Sequence, residues 1–291
     1  MIMRLLLCTD GSPHGQAAIR LGAILARRSP ETTTVLGVVE TPAFWQAENR
    51  SEESHIQRAL EEARCLLAGP SEPRFRTRKG HAAEEILEEA ALGDYDLVVV
   101  GARGRRGITR FLLGSTAERI ARHAPVPVLI VRGARDAMER VLVCTAGKEP
   151  GLAAVKCGGQ VAHLIGAQVT VLHVMSQIAG RPVLPPDALE DLEAPAQTLM
   201  EHHTPEGICL EEAMDILTGL EVPARPLVRH GPVVEEILDE ARQGAYDLLV
   251  IGAHATAGLM GLLLDDVAHQ IISHADRPIL VARPRREGSD G

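Results

Sequence analysis

Short runs of β-branched and aliphatic residues alternate along this chain with longer segments whose apolar residues recur every three to four positions. The first kind has the length and composition of a buried strand, the second the period of an amphipathic helix. In the first half, strands are expected near residues 4–9, 33–40, 73–78, 96–101 and 127–132. Between the third and fourth, Ala82–Ala91 places Ile86, Leu87 and Ala90 on one face and Glu84, Glu85, Glu88 and Glu89 on the others. That is the pattern of a helix covering a sheet with its acidic run in solvent, and Gly93 is expected to stop it. Strands and helices in strict alternation predict βαβ units and hence a parallel sheet. The expected fold class is α/β, an open Rossmann-like sheet of five parallel strands flanked by helices.

The pattern then occurs a second time. GHAAEEILEEAALGDYDLVVVG at Gly80–Gly101 returns as GPVVEEILDEARQGAYDLLVIG at Gly231–Gly252, and HAPVPVLIVR from His123 returns as HADRPILVAR from His274. Earlier in each copy, RLLLCTDGS from Arg4 matches RVLVCTAGK from Arg140, and VLGVVE from Val35 matches VLHVMS from Val171. The earlier matches lie closer together than the later ones, so extra residues fall in the middle of the second copy. Two tandem domains follow, 1–137 and 138–291, joined by the polar stretch Gly133–Glu139. The insertion, near 177–206, carries Pro182, Pro185, Pro186, Pro195 and Pro205 among acidic residues and is expected to avoid regular structure.

Composition narrows the function classes. Hydrophobic residues are 45% and charged residues 24% of the 291-residue chain, enough to bury two cores, while the 2% aromatic content leaves those cores to Val, Ile, Leu and Ala. A net charge of −9 argues against a general nucleic-acid binder, since affinity for a polyanion comes from Lys and Arg neutralising phosphates. Five cysteines without CxxC spacing indicate neither a disulfide framework nor a zinc site. The apolar start ends at Asp10 and Gly11, short of a leader or a span, and no other apolar stretch is long enough to cross a membrane. A cytoplasmic chain without membrane insertion is expected.

The candidate chemistry sits where strands end. The fourth expected strand leads into Gly101-Ala102-Arg103-Gly104, and Gly114-Ser115-Thr116 then opens the next helix. Glycines let backbone N–H groups approach an anion, a helix N-terminus adds unsatisfied donors and a favourable dipole, and Ser115 and Thr116 add hydroxyls. In an open parallel sheet this crevice lies beyond the carboxyl ends of the strands, and the first strand delivers Thr9-Asp10-Gly11-Ser12 to the same edge. Asp10 is there placed to accept from a ribose hydroxyl or an adenine amine. Each residue has a plainer reading too: the glycines as tight turns, Asp10 as a turn or cap residue for a helix starting near Pro13, Val38 as core.

The spacing Gly-x2-Gly-x9-Gly-Ser/Thr after DYDLVVVG, with DGS after the first strand, resembles the universal stress protein family over both halves of the chain. It is not the Walker spacing, because the Lys after the second glycine is missing. The resemblance implies an ATP site, with Mg²⁺ accompanying the phosphates, and pairing of domains through their last strands. Position by position, Asp10 with Thr9 and Gly11 resembles the nucleotide-contacting turn and Val38 the adenine-side hydrophobe. Gly101, Arg103 and Gly104 resemble the phosphate loop, and Gly114, Ser115 and Thr116 its far side. The strands near 127–132 and 278–282 would join the two domains as an intramolecular pseudo-dimer, open to further homodimerisation and to a protein partner.

The second copy departs from that pattern. Where the first has Asp10, Gly104, Gly114 and Ser115, the second has Ala146, Ala255, Asp265 and Asp266. Residues 101–116 hold Arg103, Arg105, Arg106 and Arg110 and no acid, whereas residues 252–267 hold two Asp and no Lys or Arg. One nucleotide per chain, in the first domain, is therefore expected. No catalytic residue is assigned, and His202 and His203, beside Glu201, Glu206 and Cys209, are read as solvated surface and not as a metal site. The function expected is a nucleotide-dependent regulator or sensor in a stress response, with a non-nucleotide scaffold and a slow ATPase as the rivals.

Overall fold

The computed structural model describes residues 3–40, 50–68, 72–104, 113–133, 137–146, 149–176, 195–253 and 266–283. The chain divides into two compact units, the first built from residues up to Ala137 together with Asp276–Val281, the second from the other described residues.

In the first unit, strands β1 (Leu5–Thr9), β2 (Thr34–Glu40), β3 (Arg74–Gly80), β4 (Leu97–Gly101) and β5 (Val128–Val131) lie within two residues of the expected strands. They pair in the order β3-β2-β1-β4-β5, all parallel. Helices α1 (Pro13–Ala26), α2 (Arg50–Leu66), α3 (Ala82–Leu92) and α4 (Ser115–His123) connect them. Covered on both faces, β1 and β5 are buried at every position, as their uninterrupted apolar sequences require. The outermost strand, β3, is instead largely exposed and carries Arg74, Arg76, Arg78 and Lys79, charges that discourage pairing with another chain. The strand β10 (Ile279–Ala282) runs antiparallel to β5, with Ile279 opposite Ile130.

The second unit repeats the plan. Strands β6 (Arg140–Cys144), β7 (Gln168–Met175), β8 (Ala224–His230) and β9 (Leu248–Gly252) pair in parallel in the order β9-β6-β7-β8. Its helices are α5 (Glu149–Ile165), α6 (Ala196–Glu201), α7 (Pro205–Gly219), α8 (Val233–Gln243) and α9 (Asp266–His274).

Two expectations change. Residues 177–194 of the insertion lie outside the described residues, but its last part is helical: Pro195 occupies the N-cap of α6 and Pro205 the first turn of α7. A proline in a first turn removes an N–H that has no intrahelical partner anyway, so these prolines begin helices. Thr204 completes the start of α7, its hydroxyl accepting from the Gly207 N–H at 3.0 Å.

The acidic run on α3 is also not uniformly solvated. Glu89 is 4% exposed and accepts from Tyr95 Oη at 2.8 Å and Arg76 Nη1 at 2.5 Å. Gly93 does follow α3, yet its backbone is extended, and a Cβ there would run into the Tyr95 ring. The glycine admits the tyrosine that reaches the buried carboxylate. The second unit builds the same cluster from Glu240, Tyr246 and Arg229, with Tyr246 Oη to Glu240 at 3.0 Å and Arg229 Nε to Glu240 at 2.7 Å. Helix α3 thus docks through an ionic contact as well as through Ile86 and Ala90.

Removing Glu89 takes the acceptor from the Tyr95 hydroxyl and from the half-exposed Arg76, so Glu89→Ala is expected to cost about 2 kcal/mol of unfolding free energy. Glu88→Ala, on the exposed side of the same helix, is expected to change it by less than about 1 kcal/mol. Denaturant unfolding of the two variants checks the difference; equal effects would show the buried cluster to be unimportant.

Candidate functional site

The strand order reverses at β1, with β2 on one side and β4 on the other. Chain leaving the carboxyl ends of β1 and β4 departs in different directions, and an open parallel sheet has its crevice at such a switch point. The turn after β1 and the loop after β4 therefore meet. Ser12 Oγ accepts from the Gly15 N–H at 3.0 Å, capping α1, and donates to the Arg103 carbonyl at 3.3 Å, tying the loops together. Gly101 has a packing role: a Cβ there would lie 2.6 Å from the His14 carbonyl carbon, at the start of α1.

Between these loops lies a cleft of about 780 Å³. Thr9, Asp10, Val38, Gly101, Arg103, Gly104, Gly114, Ser115 and Thr116 all line it. Gly11 does not; it forms the turn beneath, at φ +73°, its N–H donating to Thr9 Oγ1 at 3.2 Å. Asp10 serves its own turn as well as the cleft. Its Oδ1 accepts from the Ser12 N–H at 3.0 Å, while Oδ2 lies 2.9 Å from where a Cβ on Gly104 would stand. A carboxylate has lone pairs for several donors, so this anchorage fixes the group without using up its capacity.

Gly114 is the N-cap of α4 and supplies no side-chain acceptor, which leaves first-turn N–H groups of that helix unsatisfied by a cap. Its own N–H donates to the Ala102 carbonyl at 2.9 Å, and a Cβ there would meet that same oxygen at 3.3 Å. Ser115 is exposed and Thr116 half-buried beside it. Burial lowers the His14 pKa, and the cationic Arg103 and Arg132 lower it further against an opposing effect of Asp10. Positive charge thus gathers at the glycine-loop end. Arg105, Arg106 and Arg110 lie outside the described residues.

The opposite end is different in character. Leu36, Val38 and Ile86 give an apolar wall, and Glu40, Glu52 and Glu84 stand with His81 at the rim. Cys8 is also in the wall, where burial pushes its thiol well up and keeps it neutral. Several of these were absent from the sequence reading. Val38 was expected there, and Leu36 and Glu40 were findable from it, since alternate residues of β2 share a face. Glu52 and His81 come from α2 and the start of α3, and no local signal points them at the first strand.

In the second unit the turn after β6 has Ala146 at the place of Asp10. His173 stands where β2 has Gly37 and donates from Nδ1 to the Thr145 carbonyl at 3.1 Å, while Cys209 Sγ lies 3.6 Å from Thr145 Oγ1. Asp266 puts a carboxylate in the first turn of α9; Ala255 and Asp265 lie outside the described residues. Among the described residues no group of three or more His, Cys, Asp or Glu side chains is arranged to hold a metal ion. His202 and His203 are exposed, and His203 Nδ1 lies 3.5 Å from Glu211.

Comparison with known proteins matches the universal stress protein family model to residues 1–132 and again to 138–283. A universal stress protein of Mycolicibacterium smegmatis is 27% identical over 298 residues, covering 97% of each chain. One from Thermus aquaticus, described as encoded 3′ of a QAH/OAS sulfhydrylase, is 32% identical over 139 residues, 45% of this chain and all of its own. Among solved structures, a universal stress protein from Archaeoglobus fulgidus superposes with a TM-score of 0.68 at 18% identity, covering 97% of this chain and 98% of that one. Among the described residues no helix is long and apolar enough to cross a membrane. With the family model matched twice and the same α/β plan built twice, the chain belongs to the universal stress protein family as a tandem of two of its domains.

Proposed function

We propose that the first unit binds an adenine nucleotide, ATP, and that the chain acts as a nucleotide-dependent regulator or sensor in a stress response. One observation carries this reading: Asp10, the Gly104 and Gly114 backbone and the uncapped start of α4 face a single cleft that also has an apolar wall. The phosphates would lie against Gly104, Gly114, Ser115 and Thr116, where N–H groups, hydroxyls and the helix dipole favour an anion. Arg103 adds charge-assisted hydrogen bonds, each worth roughly 1.5–3 kcal/mol. The base would pack on Val38 and Leu36, with Asp10 accepting from the sugar or the base. Any Mg²⁺ would enter with the phosphates. Since Cβ atoms at 104 and 114 would intrude on Asp10 and on the loop carbonyl, the glycines suit a surface that a ligand approaches closely.

We further propose a division of labour between domains 1–137 and 138–291, the second acting as a scaffold without nucleotide. Ala146 and Asp266 support this, one lacking the carboxylate and the other placing like charge where a phosphate would sit.

At a concentration of about 100 times its Kd, ATP is expected to stabilise the unit that binds it by about 2.7 kcal/mol, seen as a rise in melting temperature. No rise, together with no co-purifying nucleotide, would leave only the scaffold. Calorimetry of the full chain is expected to give one ATP per chain; two would contradict the division of labour. Gly114→Asp introduces like charge and a side chain at the head of α4 and is expected to weaken binding at least tenfold, while the corresponding site in the second unit already carries Asp265.

A further inference from the structure

The turn that presents Asp10 is held from a helix. His55, on α2, approaches the Asp10 backbone carbonyl with Nε2 at 2.9 Å; the acceptor is a carbonyl, so Nε2–H donates. The same ring lies under Gly11, where a Cβ would stand 2.6 Å from Nε2. The bond therefore requires a residue without a side chain at position 11, and Gly11 also has the positive φ that side chains disfavour. His55 can reach because α2 packs closely on β2: a Cβ on Gly37 would stand 2.6 Å from Ile56 Cγ2. Two glycines thus make room for one histidine contact. His55 does not itself line the cleft, whereas Glu52, one helical turn earlier, does.

The second unit is the control. There Gly37 is replaced by His173, which sits on the strand and bonds the carbonyl of Thr145, the counterpart of Thr9. Helix α7 offers Cys209 to the Thr145 hydroxyl instead. The clamp on the carbonyl of residue 10, from a helix, is found in the unit that has the Asp10 carboxylate; where alanine stands at that place, the hold is one residue earlier and comes from the sheet.

We infer that His55 is a positioning residue of the nucleotide site: by donating to the Asp10 carbonyl it fixes the turn 9–11, and so aims the Asp10 carboxylate from α2. This rests on the nucleotide reading of the cleft. A turn released from the clamp samples other orientations, and the ligand must then restrict it on binding.

The test is calorimetric titration of the full chain with ATP, using His55→Ala, His55→Phe, which keeps an aromatic ring but no donor, and His55→Gln, which restores an N–H donor. His173→Ala removes the clamp of the other unit. Loss of one such hydrogen bond is expected to weaken ATP binding about tenfold in His55→Ala and His55→Phe. His55→Gln is expected within about threefold of the parent chain and His173→Ala unchanged. Circular dichroism and melting curves identify folded variants; should the alanine variant not fold, phenylalanine against glutamine carries the comparison. Parent-like affinity in the donor-less variants overturns the inference and leaves the nucleotide reading standing. Equal weakening in the glutamine and phenylalanine variants also overturns it, since bulk and not donation would then matter. If the parent chain takes up no ATP at millimolar concentration, both readings fall.

Discussion

The close approach of the start of α1 to the end of β4 is the constraint on which the site depends. A parallel sheet whose strand order reverses at β1 leaves two loops side by side, but only if the helix leaving one can pass the end of the other. Gly101 permits this by offering no side chain to the His14 carbonyl, and Gly252 does the same for the Pro150 carbonyl in the second unit. Interiors are packed too densely for a methyl group to be absorbed there without moving the helix. The Ser12 bridge to the Arg103 carbonyl, and the anchorage of Asp10 beside Gly104, both lie downstream of that contact.

The glycines consequently fall into two groups. Gly15, Gly22 and Gly101 recur as Gly151, Gly158 and Gly252, and in each case an added Cβ would collide with the unit's own strand, turn or helix. These are obligations of the fold. Gly104 and Gly114 do not recur, and their neighbours are the Asp10 carboxylate and the loop after β4. Asp10 and Gly104 are linked directly: without the carboxylate, the place a Cβ would occupy on residue 104 is no longer contested. The second copy has changed both, to Ala146 and Ala255.

Strands β1, β2, β4 and β5 were legible in the sequence because aliphatic runs buried on both faces admit few other interpretations, whereas β3 is a charged edge strand without that signal; the repetition excluded coincidence. The site was legible in outline for a related reason, since loops after β1 and β4 must meet in any sheet of this order. What a linear reading missed depends on neighbours distant in sequence. Glu89 looks like one more acid on a polar face until Tyr95 and Arg76 close over it, and Gly93 looks like a helix stop until the tyrosine ring is seen against it. Pro195 and Pro205 disfavour helix in isolation, yet each stands where a helix begins. Gly101 follows a strand in the manner of a phosphate loop, and only the packing shows its debt to α1.

Strand-end carbonyls at the switch point need partners whether or not a ligand is present, because buried backbone acceptors are seldom left unmatched. The two units meet this need by different means, His55 from a helix in one and His173 from a strand in the other. A fold that can exchange one donor for another at this position can lose a binding function without losing stability. Gly151 and Gly252 stand at the places of Gly15 and Gly101, while Ala146, Ala255 and Asp265 stand at those of Asp10, Gly104 and Gly114. The glycines that shape the sheet are held by close packing against the unit's own strand, turn or helix, whereas Gly104 and Gly114 adjoin only the Asp10 carboxylate and the loop after β4.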